Sequence, residues 1–355
     1  MTPRHSSMSM DASIRDFDLL LAGIKRATDY IPVLHKFVWV RKWHNEKLRS
    51  EKMYRYVIKR VLLAILTVFI VSAITFFSMN AIPGGPFSSE KAPSAEVKAA
   101  LEARYNLDKP VPEQFVIYMG NFLHGDMGVS LKTGREISTV IGESFPISAR
   151  LGGAAAAIST VIGLVLGSLA ALKRNSVIDR IIIFFTTLAT AAPSFVLGTI
   201  LLYVFCIKLG WAPVWSPDNP HYVLPVIALS MYPMAYITRL TKTSMLDALG
   251  QDYVRTANAK GVSGVKVIFK HALRNAVIPV ITYVGPMTAY ILTGSLVVES
   301  IFTIGGLGSK FVDSITNRDY TLIMGTTIFL ATLMVTVNLI TDLVYKVVDP
   351  RIKLD

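Results

Sequence analysis

Long apolar runs alternate with polar connections along this chain. Six of the runs are of bilayer-crossing length, for which a helix needs roughly 20 residues. They cover 57–79, 147–172, 177–209, 222–237, 276–298 and 322–348. The fourth is short and is interrupted by Pro225 and Pro233. It is kept because omitting it leaves an odd number of spans and moves the basic 239–274 loop to the opposite side. Pro193, Pro279 and Pro286 also fall in or beside the runs. Membrane helices tolerate such breaks where neighbouring helices or cavity water satisfy the freed carbonyls. The pattern predicts an all-α polytopic membrane protein with six transmembrane helices.

The polar segments carry their own periodicities. In the leader, 1–56, Ser13 and Asp16 form a helix-start box, and Ile14, Phe17, Leu21 and Ile24 share one helical face. Phe37, Trp39 and Trp43 then alternate with Lys36, Arg41, Lys42, Lys47 and Arg49. That mixture suits a helix on an anionic membrane surface, or one packed on the cytoplasmic side of its own bundle. The 81–146 segment is polar enough to fold outside the membrane. Strong helix formers predict a helix over 93–105, stopped by Pro110 and Pro112, and a second helix over 114–123.

Composition agrees with membrane residence: 52% of residues are hydrophobic and 17% charged, with mean hydropathy +0.49. The net charge of +12 is not that of a nucleic-acid binder, because Lys and Arg collect at the ends of apolar runs. Thirteen lie in residues 1–60, three in 173–180, seven in 239–274 and three in 346–355 at the C-terminal end. In 81–146, six basic residues are outnumbered by eight acidic ones. By the positive-inside rule, both termini and the 239–274 loop are expected in the cytoplasm. The expected organisation is a cytoplasmic extension (1–56), a first span (57–80) and an external segment (81–146). A core of five spans (147–350), containing the loop 239–275, and a cytoplasmic tail (351–355) complete it. The first apolar run begins only near Val57, after a charged leader, so no signal peptide is read.

Candidate chemistry inside the spans is sparse. Cys206 is the single cysteine and the six histidines are scattered, which predicts neither disulfides nor a metal site. Arg150, Lys208, Glu299 and Asp342 are all read as lying near span ends. An ion-coupled carrier or channel would need ionisable groups near mid-membrane, and an intramembrane enzyme a nucleophile–base or metal constellation. Neither pattern is present, so the energy for transport is expected from a soluble partner. No Gly-x-x-x-x-Gly-Lys-Ser/Thr phosphate loop occurs, and no catalytic residue is assigned.

The loop between the fourth and fifth runs looks built for such a partner. Asp252, Tyr253, Arg255, Thr256, Ala257, Ala259, Lys260 and Gly261 combine small side chains, charge and one ring. A helix from about Asp247 to Lys260, capped by Gly261, is expected to lie along the membrane. The stretch 252–261, followed by His271-Ala272-Leu273-Arg274-Asn275-Ala276 and Pro279, resembles the cytoplasmic loop of permease subunits of peptide-type ABC importers. In the wider group this loop opens with Glu-Ala-Ala. Here Arg255-Thr256-Ala257 stands in its place, as is typical of the oligopeptide, dipeptide and nickel branch. Ile82-Pro83-Gly84-Gly85-Pro86 is similar to that branch's Leu-Pro-Gly-Asp-Pro signature. Leu107-Asp108-Lys109-Pro110 with Gln114 and Tyr118, and His124 to Ser130, resemble its external segment. Val298-Glu299-Ser300-Ile301-Phe302, Gly306-Leu307-Gly308, Arg318-Asp319-Tyr320 and Asp349-Pro350-Arg351 match its last third, leaving residues 1–52 uncovered.

The resemblance implies the type I permease fold of ABC importers, with a cytoplasmic coupling helix, in the B-type subunit that has a long external segment. It implies as partners a second homologous permease, two cytoplasmic ATPases holding ATP and Mg, and an external substrate-binding protein. It also implies residence in the cytoplasmic membrane of a prokaryote, an oligopeptide substrate and transport by alternating access. Dipeptides, nickel or another small solute are the alternative cargo. On this reading Tyr283, Thr288, Tyr290 and Thr293 line a polar path for peptide backbone. Gly285, Pro286 and Gly294 permit bending or provide close helix packing.

Overall fold

The first apolar run becomes the C-terminal part of a 50-residue helix, α1 (Pro32–Ala81). Proline is suited to a helix start, and no Gly or Pro recurs until Pro83-Gly84-Gly85-Pro86, so nothing interrupts the helix between leader and span. The computed structural model describes residues 32–87, 95–293 and 295–348. Residues 1–62 with 354–355 form one unit and 63–353 a second. The described residues of the first unit, 32–62, are helical throughout. The expected helix-start box at Ser13 and Asp16 lies outside the described residues, as do the side chains of Phe37, Trp39 and Trp43.

In the second unit the external segment forms α2 (Ala95–Arg104) and α3 (Val111–Leu123), close to expectation. α4 (Ile137–Leu172) begins ten residues before the apolar run at 147, and Pro146 lies inside it. The early turns of α4 are not lipid-facing. Ile137, Val140 and Ile141 are buried against Leu307 and Leu322.

The third span is not one helix. α5 (Val177–Ala191) and α6 (Ser194–Leu201, continued as a π-helix over Leu202–Lys208) meet at 102°. Pro193 forces the break, because the residue before a proline is pushed out of the helical region, and Ala192 has ψ 126°. Five described helices are long and apolar enough to cross a membrane, and this bent pair makes a sixth candidate.

α7 (Val223–Leu249) runs twelve residues past the apolar run at 222–237. Arg239 and Lys242 end the hydrophobicity but not the helix, since both have partners on α5. Arg239 donates to the Thr186 carbonyl at 3.1 Å and to the Thr190 hydroxyl. Lys242 pairs with Asp179 at 2.5 Å. α8 is Asp252–Ala259. A single turn (Gly264–Lys266) and a π-helical turn (Val267–Ala272) lead into α9 (Leu273–Leu292). Helix α9 itself ends at Leu292, within a candidate span that runs over Gly264–Ile301. Val298 belongs to α10 (Leu296–Ile301), after which come α11 (Leu307–Thr316) and α12 (Tyr320–Val348).

The centre of the bundle is the α4–α7 pair, which makes the most extensive helix contact. Ser159, Gly163 and Gly167 recur every fourth residue on α4 and face α7. The Ser159 hydroxyl donates across to the Ser230 carbonyl at 3.1 Å. A Cβ on Gly167 would lie 2.5 Å from the Thr238 carbonyl oxygen, so backbone meets backbone there. Gly167→Leu is expected to cost about 1–3 kcal/mol by overpacking. The measurement is a lowered thermal midpoint of the purified protein in detergent. Gly285 has a packing role of the same kind: its added Cβ would overlap the Thr341 side chain.

Two clusters define opposite ends of this bundle. Ala171, Met245, Ala248, Ala272 and Ala276 bring together the end of α4, the end of α7 and the start of α9. Phe76, Met79, Phe115, Tyr320 and Ile323 join the end of α1, α3 and the start of α12. The 252–261 loop and the segment containing α2 and α3 are therefore at opposite ends.

Candidate functional site

The loop helix α8 starts at Asp252, five residues later than expected, because α7 persists to Leu249 and Gly250 caps it. Its far end is a Schellman motif. The Gly261 amide donates to the Asn258 carbonyl at 3.0 Å and the Val262 amide to the Ala257 carbonyl at 3.2 Å. Gly261 has φ +74°, the left-handed geometry this motif requires. It therefore closes the helix as expected, one position beyond the cap residue Lys260.

α8 has two faces. Val254 and Ala257 are buried against Val267, with Val262 beside them. Tyr253, Arg255, Thr256, Ala259, Lys260 and Gly261 are exposed, as is Asp252. Ala257, like Val254, differs from the exposed positions of the 252–261 stretch: its methyl is packed inside the chain and is not a surface on which another protein can rest. The Arg255–Asp252 pair, 3.5 Å apart and solvent-exposed, contributes little to stability. Val267 opens the π-helical turn that feeds α9, so the buried face of α8 is fastened to the start of the fifth span. Inserted π turns of this kind often mark functional positions. The companion motif divides likewise. Ala272 and Ala276 are buried at the α4–α7–α9 junction, whereas Arg274 and Asn275 are exposed.

The four residues expected to line a path do not all border one cavity. Tyr290 and Thr293 border a cavity of about 460 Å³, shared with Ser194, Leu296, Phe311 and Thr327. Thr327 contributes a buried hydroxyl without a protein partner. Tyr283 instead stacks on Tyr236, ring centroids 4.2 Å apart, and the Thr288 hydroxyl bonds the Val284 carbonyl within its own helix. Neither borders that cavity.

Three charged groups acquire roles that the span pattern did not reveal. Glu299, expected at a span end, is fully buried. Its carboxylate accepts from the Ser148 hydroxyl at 2.8 Å and the Ser309 amide at 3.1 Å. Ser148 accepts in turn from the Leu307 amide at 2.8 Å. A single carboxylate thereby joins α10, α4 and the amino end of α11. Gly306 and Gly308 make room for it, since a Cβ at Gly306 would sit 2.4 Å from the carboxylate. The signal in the sequence was an acid followed closely by two glycines, Gly306 and Gly308. Asp319 is also buried and accepts from the Leu322 amide at 3.3 Å, capping α12. It further accepts from the Ser130 hydroxyl and, at 3.1 Å, the Leu131 amide, tying the external segment to that helix. Asp179, at the start of α5, is buried against Lys242 beside the loop end of the bundle.

Comparison with known proteins matches this architecture over most of its length. Residues 163–354 match the binding-protein-dependent transport system inner membrane component family, and 53–152 match the N-terminal region of such membrane components. The dipeptide transport system permease protein DppB of Bacillus subtilis is 44% identical over 304 residues, 85% of this chain and 99% of that protein. The oligopeptide transport system permease protein OppB of Haemophilus influenzae is 42% identical over 305 residues, 85% of this chain and all of that protein. OppB of Escherichia coli K12 is 38% identical over the same length. With two family regions spanning the bundle and relatives matched end to end, this multi-pass membrane protein belongs to the binding-protein-dependent transport system inner membrane components, as a permease subunit of an ABC transporter.

Proposed function

We propose that the chain carries peptides across the cytoplasmic membrane of a prokaryote as the B-type permease of an ATP-driven importer. It pairs with a second homologous permease, and two cytoplasmic ATPases dock on the exposed face of α8. ATP and Mg reside on those ATPases, and an external binding protein delivers cargo to the end formed by α2, α3 and the start of α12. Both termini and the 239–275 loop lie in the cytoplasm. The observation that carries this reading is the two-faced α8. Val254 and Ala257 fasten it to the π turn before α9, while Tyr253, Arg255, Thr256, Ala259, Lys260 and Gly261 stay open to a partner. Force applied to the open face then reaches the fifth span through packed side chains and can bias two arrangements of the bundle. The cavity beside Tyr290 and Thr293 is the candidate stretch of the path.

The peptide assignment is supported by the names of the relatives and is tested by reconstitution. Proteoliposomes holding the complete complex should take up labelled di- and oligopeptides only with ATP, the ATPases and the binding protein present. Uptake that persists without the ATPases would identify a carrier. ATP-dependent uptake of nickel with none of peptide would replace the cargo and leave the machinery standing.

A further inference from the structure

A second cavity, of about 270 Å³, lies where α1, α3 and the start of α12 meet, and shares no lining residue with the cavity at Tyr290. Its wall includes the rings of Phe76, Tyr105, Tyr118 and Tyr320 and the side chains of Asn121 and Asp126. The Tyr118 hydroxyl is buried and bonds no protein atom. Asp126 stands at the mouth, exposed, with one carboxylate oxygen accepting the Gly128 amide at 2.8 Å. Burial, and secondarily the charge of Asp126, raise the pKa of Tyr118. The phenol therefore stays neutral and feels that carboxylate, yet no hydrogen bond joins them. Both residues line the cavity, so a group bound in it has both oxygens available as acceptors.

We propose that this cavity binds a primary ammonium group. Such a group carries three N–H donors for the Tyr118 oxygen, the Asp126 carboxylate and the Asn121 amide oxygen. Its positive charge is matched by the one carboxylate and by the faces of the surrounding rings. Two sources share this chemistry: the amino terminus of a cargo peptide, and a free small amine. The external position of the site rests on the orientation proposed above, but binding does not, so the two readings fail separately.

The test uses the full-length chain purified in detergent, with ethylammonium as probe and sodium at matched ionic strength as control. Ethylammonium should raise the thermal midpoint saturably. Asp126→Asn keeps an acceptor for the Gly128 amide and should weaken binding about ten-fold or more, as loss of a charge-assisted contact requires. Tyr118→Phe removes no protein hydrogen bond and should weaken binding about three- to ten-fold. Competition by trialanine but not by N-acetyl-trialanine supports the site with cargo as its source; no competition by either, with ethylammonium still bound, supports it with a free amine. Absence of a saturable response to ethylammonium, or an undiminished response in Asp126→Asn, overturns the proposal and leaves a water-filled cavity.

Discussion

Glu299→Ala is expected to remove most of the folded protein from the membrane. The change leaves the Ser309 amide and the Ser148 hydroxyl without their acceptor in a site where Glu299 is fully buried. It also empties the space that Gly306 and Gly308 frame. Each orphaned donor costs about 1–3 kcal/mol, and truncation of a buried side chain adds to that. A total of about 3–5 kcal/mol is a large share of a typical stability of roughly 5–15 kcal/mol. Glu299→Gln keeps the volume and one acceptor oxygen but turns an NH2 toward a donor, so its loss should be intermediate, about 1–2 kcal/mol. The measurement is folded protein recovered in detergent and its thermal midpoint, wild type against both variants. Equal midpoints for alanine and wild type would mean the carboxylate joins nothing of consequence.

Gly261→Arg should abolish ATP-coupled uptake while the protein still inserts and folds. No atom lies within 4 Å of a Cβ built at Gly261, so the site has space and the cost inside the chain is the left-handed backbone alone. For an L-residue that cost is about 1–2 kcal/mol. Gly261→Ala bears the same strain without bulk or charge, and Gly261→Asn relieves much of it. Alanine and asparagine should retain most transport, with substrate-stimulated ATPase activity in the reconstituted complex reporting the coupling. Arginine should lose that stimulation because it obstructs the exposed face of α8. If alanine uncouples as fully as arginine, the glycine shapes the turn and does not provide the contact surface.

These two residues mark different limits of sequence reading. Gly261 was legible because a helix ending in glycine needs only local geometry, and φ +74° realises it. Glu299 was not, because its meaning depends on Ser148, 151 positions away. The same division runs through the helices. The third run counted as one span despite Pro193, and only the structure shows its two halves meeting at 102°. Arg239 and Lys242 ended an apolar run, yet the helix continues because α5 offers Thr186, Thr190 and Asp179 as partners.

The candidate site divides in the same way. The polarity and small side chains of 252–261 located the loop without any structure. That Ala257 faces inward while Ala259 faces outward is a matter of which side of α8 meets Val267. Tyr283 and Tyr290 looked equivalent as tyrosines on one span, but the ring of Tyr236 claims the first and a cavity borders the second.

By itself the sequence determined membrane residence, the set of apolar runs, the family and the position of the loop. These follow from hydrophobicity, charge and short motifs, which act over one helix or less. Tertiary structure alone decided where α4, α7 and α9 begin and end, which face of α8 is open, and that Glu299, Asp319 and Asp179 are buried junctions. Each of these depends on partners distant in the chain, because a buried charge or a helix end is stable only where another element supplies its hydrogen bonds.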